Sequence, residues 1–124
     1  IDGFDDLAPM HVHGDSAMLE QAIYNLTDNA VKFTDNGGKI SVNVSRDKKN
    51  VYFAITNTGK GIPEKDIDKV FDRFYKVDRS RSTDVKSTGL GLYLVKSIIN
   101  LHHGTITAES VPDKFTRFTV KLPQ

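Results

Sequence analysis

The 124-residue chain has no cysteine, so disulfides and thiolate metal sites are excluded. It also has no marked excess of either charge. Its 17 basic and 16 acidic residues leave a formal net charge of +1, which argues against a nucleic-acid footprint spread over the whole surface. No apolar run approaches the roughly 20 residues of a membrane span, and no signal-peptide pattern is visible. Internal repeats and low-complexity tracts are missing too. What remains is ordinary globular composition, 38% hydrophobic and 27% charged, at a length that suits one domain but not two. Lack of cysteine is compatible with a cytoplasmic location. Because the chain begins at Ile1 rather than at an initiator methionine, it is expected to be a fragment of a larger protein.

Against this plain background, Asn25, Asn29 and Lys32 stand out. At about 100° per residue they fall within roughly 60° of one another on a helical wheel. The apolar positions Leu19, Ala22, Ile23, Leu26 and Ala30 occupy the arc beside them. Two amides and an ammonium at the rim of a buried face are costly unless something polar meets them. Amide oxygens ligate hard cations such as magnesium, and lysine supplies a point charge for phosphate. The stripe therefore suggests a metal–nucleotide site.

The surrounding organisation is legible from turn and cap signals. Residues 1–7 suggest an extended segment ending near Pro9. Asp15 or Ser16 offers an N-cap for a helix reaching Phe33, and Asp35-Asn36-Gly37-Gly38 marks a turn. Segments 39–45 and 51–56 alternate apolar and polar residues and read as a hairpin. Pro63-Glu64 opens a short helix carrying Ile67, Val70, Phe71 and Phe74 on one side. Segment 75–88 has little periodicity and reads as a mobile loop. A helix over 90–101, with Leu92, Val95 and Ile99 on one face, ends at Gly104. Strands at 105–110 and 115–122 close the chain around Pro112-Asp113. This order predicts an α+β sandwich, a sheet covered by helices on one face.

Two glycine clusters complete the set. Gly59-Lys60-Gly61-Ile62-Pro63 follows a predicted strand and permits close backbone approach to a ligand, although a plain turn explains it equally. Thr88-Gly89-Leu90-Gly91-Leu92 precedes a helix whose N-terminal N–H groups suit phosphate; a structural cap explains it equally. The ordered series is far more specific. Asn25-x-x-x-Asn29-Ala30-x-Lys32-Phe33, Asn57-x-Gly59-x-Gly61-Ile62, Phe71-x-x-Phe74 and Gly89-Leu90-Gly91-Leu92 resemble the boxes of sensor histidine kinases. The chain is similar, from about His13 to Pro123, to their catalytic domain in the gyrase, Hsp90, histidine kinase and MutL superfamily.

The resemblance implies a two-layer Bergerat-type α/β sandwich, with a mixed sheet and a flexible lid at about 75–88 that closes over ATP. It implies that Asn29 ligates Mg²⁺ with Asn25 assisting, that Lys32 contacts a phosphate, and that Phe33 packs on adenine. Gly59, Gly61 and Ile62 would border the adenine pocket. Phe74, Tyr75 and Lys76 at the start of the lid, and Thr88, Gly89, Leu90, Gly91 and Leu92 at its end, would border the rest of the nucleotide. The implied partners are a histidine-containing dimerisation domain of the same parent and a response-regulator receiver domain, with no nucleic acid and no membrane insertion by this segment. The domain would be cytoplasmic, in a parent expected to be membrane-anchored.

Three departures bear on function. Asn57 stands where the family usually has aspartate. A neutral amide forms weaker hydrogen bonds than a carboxylate, by about 1 kcal/mol, so aspartate at 57 is expected to tighten adenine binding. Its NH₂ group could also donate to guanine O6, weakening discrimination against GTP. Lys76 stands where arginine is common, keeping the charge but losing the bidentate fork. Pro112-Asp113-Lys114-Phe115-Thr116 lacks the usual glycine before the threonine, in a region that looks peripheral to phosphate chemistry.

None of His11, His13, His102 and His103 lies in a segment resembling a phospho-acceptor box, and a helix-capping role, favoured by a protonated imidazole, is simplest for His102 or His103. An amide at 25 cannot serve as the base that activates water in related ATPases, which disfavours hydrolysis as the main activity. The competing reading is a degenerate nucleotide-sensing or scaffold domain, supported chiefly by Asn57. A serine kinase of the anti-sigma type fits less well.

Overall fold

A computed structural model describes residues 14–72 and 91–124. Helix α1 (Ser16–Phe33) starts where the sequence offers a cap: the Asp15 carboxylate accepts the Met18 N–H at 3.0 Å. It stops at Thr34, whose N–H still reaches the Ala30 carbonyl. Ala22, Leu26 and Ala30 are buried, and Leu19 packs at the core margin. Ile23, expected in the same arc, is 42% exposed. It lies about 60° from the centre of that arc, beyond the reach of the sheet.

Four strands, β1 (Ile40–Arg46), β2 (Asn50–Thr58), β3 (Thr105–Val111) and β4 (Phe115–Pro123), form one sheet in the order β1-β2-β4-β3. Every described pairing is antiparallel. The expected segment at 1–7, on which a mixed sheet would depend, lies outside the described residues. At the β1–β2 turn the Asp47 carboxylate accepts the Lys49 and Asn50 N–H groups and the Tyr52 hydroxyl. The Lys49 bond foremost, then those from Tyr52 and Asn50, hold Asp47 below its ordinary 3.8, and the bond to Asp47 pushes Tyr52 above its ordinary 10.0.

The period of two puts Phe53, Ile55 and Asn57 of β2 and Thr116, Phe118 and Val120 of β4 on the buried face. Helix α1 lies against β2, and helix α2 (Gly91–Leu101) against β3, so both helices cover that one face. Helix α2 buries Val95, Ile98 and Ile99, with Leu92 at the margin. Between the sheet and this second helix, Pro63 leads into a 3₁₀ turn (Glu64–Lys69) rather than an α-helix. Val70 is buried after it, and Phe71 meets Phe118 edge-on, with centroids 5.9 Å apart. The arrangement is the expected α+β sandwich with helices on one face.

Two contacts make the helices antiparallel. The Asp15 N–H donates to His102 Nε2 at 3.0 Å, and the Asn25 amide nitrogen reaches the Gly91 carbonyl at 3.5 Å. His102 is buried, and its Nδ1 donates to the Ile98 carbonyl at 2.8 Å. It does cap the last turn, but with Nε2 accepting and Nδ1 donating the ring is a neutral tautomer, not the expected imidazolium. The left-handed residue that ends α2 is His103 (φ 63), one position before the expected glycine. Its N–H bonds the Asn100 carbonyl and the Gly104 N–H bonds the Ile99 carbonyl, a Schellman ending. Gly104 is needed instead because a side chain there would strike the Lys121 carbonyl.

Replacing His102 with alanine strips partners from the Asp15 N–H and the Ile98 carbonyl. Urea unfolding is expected to show a loss of about 2 kcal/mol with the denaturant slope unchanged.

Candidate functional site

The polar stripe lies between two landmarks. Near the middle of α1, Asn25 accepts from Gln21 Nε2 at 2.8 Å and reaches the first carbonyl of α2 at Gly91. At the end of α1, the Phe33 carbonyl lies against Gly59. Eight residues of helix separate the two, about 12 Å. Asn29, midway, is half-buried, and its amide has no hydrogen-bond partner among the described residues. Lys32 Nζ pairs with Asp28 at 2.9 Å, one turn earlier. Both partners are partly exposed, so this ion pair is weak enough for an anion to displace it. Phe33 is 38% exposed.

The sheet end beneath Phe33 is polar although it is buried. Among the described residues three polar side chains are buried; two of them, Asn57 and Thr116, are paired across β2 and β4. Asn57 Nδ2 lies 3.2 Å from the Thr58 carbonyl oxygen. A flipped amide would set oxygen against oxygen at that distance, so chemistry fixes the NH₂ on Thr58 and leaves Oδ1 as the free acceptor. An aspartate at 57 would lose that donor. A cost therefore stands against the gain expected from a carboxylate.

The glycines divide by what surrounds them. A Cβ on Gly59 would stand 2.6 Å from the Phe33 carbonyl oxygen. One on Gly61 (φ 77) would stand 2.5 Å from Ser110 Oγ and 2.9 Å from the Val111 carbonyl. Both glycines serve close packing within the chain, where the sequence suggests approach of a ligand. Ile62 is buried in the core. A Cβ on Gly91 meets nothing within 4 Å among the described residues. Gly91 at the first described position of α2 is therefore unlike Gly59 and Gly61, packed against no described residue.

The predicted residues Phe74, Tyr75, Lys76, Thr88, Gly89 and Leu90, the lid at 75–88, and His11 and His13 lie outside the described residues. Within them, Asn25, Asn29 and Lys32 share one helix edge, Gly91 stands at its middle, Leu92 packs at the core margin instead, and Phe33, Asn57 and Gly59 converge at its end. Nothing in the sequence pattern links Ser110 or Asp113 to the first glycine cluster. The Asp113 N–H donates to the Lys60 carbonyl at 2.6 Å, and the Ile62 N–H to Ser110 Oγ at 2.7 Å. The region that looks peripheral in sequence therefore packs on the first glycine cluster. A serine in a strand carries no local signal of such a contact.

Residues 14–124 match the family described as histidine kinase-, DNA gyrase B- and HSP90-like ATPase. The chain is 38% identical over 116 residues to the sensor histidine kinase WalK of Bacillus subtilis, covering 92% of this chain and 19% of that protein. It is 40% identical over 119 residues to the heme sensor protein HssS of Staphylococcus haemolyticus, covering 96% of this chain and 25% of that one. The chain thus spans at most about a quarter of the length of these curated relatives. Among solved structures it is similar to the mycobacterial sensor histidine kinase MprB, with a TM-score of 0.81 and 32% identity over 90% of this chain and 76% of that one. The catalytic domain of histidine kinase ThkA gives a TM-score of 0.80 at 29% identity, covering 95% of this chain and 75% of that one.

The two kinds of glycine predict opposite effects on stability. Gly59→Ala is expected to lower unfolding free energy by about 2 kcal/mol or more through the clash with Phe33. Gly91→Ala is expected to leave it unchanged or raise it by up to ~1 kcal/mol, as alanine does in a helix. Thermal unfolding of the two variants checks both.

Proposed function

This chain belongs to the histidine kinase-, DNA gyrase B- and HSP90-like ATPase family, and we propose that it is the ATP-binding catalytic domain of a two-component sensor kinase. It presents the γ-phosphate of ATP to a histidine on a separate dimerisation domain of the same parent, from which the phosphoryl group passes to a response-regulator receiver domain. No described helix is long and apolar enough to cross a membrane; the cytoplasmic placement and the membrane-anchored parent belong to the proposal.

The observation that carries this reading is the amide stripe running from the Gly91 carbonyl of α2 to the polar end of β2. The donor set suits the group it would hold. Asn29, without a partner among the described residues, supplies a neutral oxygen for Mg²⁺, and Asn25 stands one turn away at the Gly91 carbonyl. When bound, Mg²⁺ would neutralise charge on the phosphates. Lys32 exchanges Asp28 for a phosphate oxygen. Phe33 offers a half-exposed ring for the base, and Asn57 Oδ1 accepts from the adenine amino group. Gly91, where a Cβ would meet none of the described residues, would let phosphates approach the backbone of α2. Phosphoryl transfer of this kind asks the protein for positioning and charge neutralisation, which amides and a lysine supply. Neither Asn25 nor Asn29 can act as a base toward water.

Asn57 favours one alternative, a nucleotide-sensing or scaffold domain without transfer. Mixing the chain with Mg-ATP and a separately prepared dimerisation domain separates the two: acid-labile phosphohistidine supports the kinase, and binding without it supports the sensor.

Asn29→Ala is expected to weaken Mg²⁺-dependent ATP binding at least ~ten-fold, or 1.4 kcal/mol, in titration calorimetry. Undiminished binding would overturn the metal role. With Asn57 held as an acceptor, ATP is expected to bind about ten-fold or more tighter than GTP. Asn57→Asp, gaining a charge but losing its donor to Thr58, is expected to change ADP affinity by less than ~five-fold. A larger gain would show that the Thr58 contact is without consequence.

A further inference from the structure

The loop at 59–62 is bound to the β3–β4 turn along its length. The Gly59 N–H donates to the Lys114 carbonyl at 3.3 Å, the Asp113 N–H to the Lys60 carbonyl at 2.6 Å, and the Ile62 N–H to Ser110 Oγ at 2.7 Å. Ser110 then donates its own hydrogen to the Phe115 carbonyl at 2.7 Å. A hydroxyl has one donor hydrogen and two acceptor lone pairs, and here the donor and one lone pair are engaged. The same oxygen is the atom that a side chain at Gly61 would strike. One hydroxyl thus joins the end of β3, the start of β4 and the loop that follows Asn57. Asp113 supports the turn from its other side in the left-handed region (φ 64), where aspartate is tolerated better than most residues.

We infer that Ser110 is a positioning residue for nucleotide binding, its hydroxyl holding the 59–62 loop in the shape that completes the base-binding end beside Asn57. This rests on the ATP-binding reading above. Ser110 lies on β3, behind the loop, so its effect falls on the base and not on the phosphates, whose contacts are drawn from α1 and α2.

The test compares Ser110→Ala and Ser110→Thr with the unaltered chain in titrations with Mg-ATP and with Mg-tripolyphosphate, which has the phosphates but no base. Amide hydrogen exchange is followed alongside. Ser110→Ala is expected to weaken ATP about ten-fold, with tripolyphosphate changed by less than ~two-fold. The Ile62 amide loses protection while those of Ile55 and Phe118 keep theirs, and Ser110→Thr restores both ATP affinity and Ile62 protection. Equal weakening toward ATP and tripolyphosphate, loss of Ile55 and Phe118 protection together with that of Ile62, or unchanged ATP binding overturns the positioning role. An unaltered chain that binds no ATP overturns the ATP-binding reading itself. ATP binding indifferent to Ser110→Ala overturns the positioning role alone.

Discussion

At Gly59 the backbone of β2's exit passes so close to the last carbonyl of α1 that a single methyl group would not fit between them. That approach decides where the candidate site lies. It brings buried Asn57 to the end of the helix that carries Asn25, Asn29 and Lys32, so the buried polar end of β2 and the polar edge of α1 lie side by side. The antiparallel packing of α2 sets the opposite boundary. His102 holds the N-terminus of α1 to the C-terminus of α2, and this places Gly91 beside Asn25. Each contact is a constraint on position, and position is what the proposed phosphoryl transfer would depend on.

The two glycine clusters look alike in sequence and differ in physical role. Gly59 and Gly61 are pressed between chain segments, one against Phe33 and the other against Ser110 and Val111. Gly91 faces nothing among the described residues. A glycine has no side chain to reveal which case applies, so only its surroundings distinguish an internal contact from room left for a ligand. The turn at Pro112-Asp113-Lys114 follows from the same point. It lacks the glycine expected there, keeps the left-handed geometry with Asp113, and binds the first cluster through backbone groups.

Much of the fold is legible residue by residue. Asp15 caps α1 as its side chain suggests, the alternation in β2 and β4 selects the buried face, and Ala22, Leu26 and Ala30 mark the core side of the helix. The misreadings share a cause. Ile23 looks buried because periodicity gives direction around a helix but not the width of what covers it. Gly104 looks like the helix terminator, yet His103 takes the left-handed position while Gly104 makes way for Lys121. His102 looks like a charged cap, and the Asp15 N–H, 87 residues away in sequence, makes it a neutral one.

The sequence by itself determined the family, through the order of four boxes, and the chemical type of the candidate site, through amides where related ATPases use a carboxylate. It also determined which helix edge is polar, since that follows from residue spacing alone. Tertiary structure decided the orientation of the Asn57 amide, the tautomer of His102, and the part Ser110 plays behind the glycine loop. In each of these a polar group's role depends on a donor or acceptor brought to it by folding. Hydrogen bonding is directional and short-ranged, so no local pattern can specify it before the partner arrives.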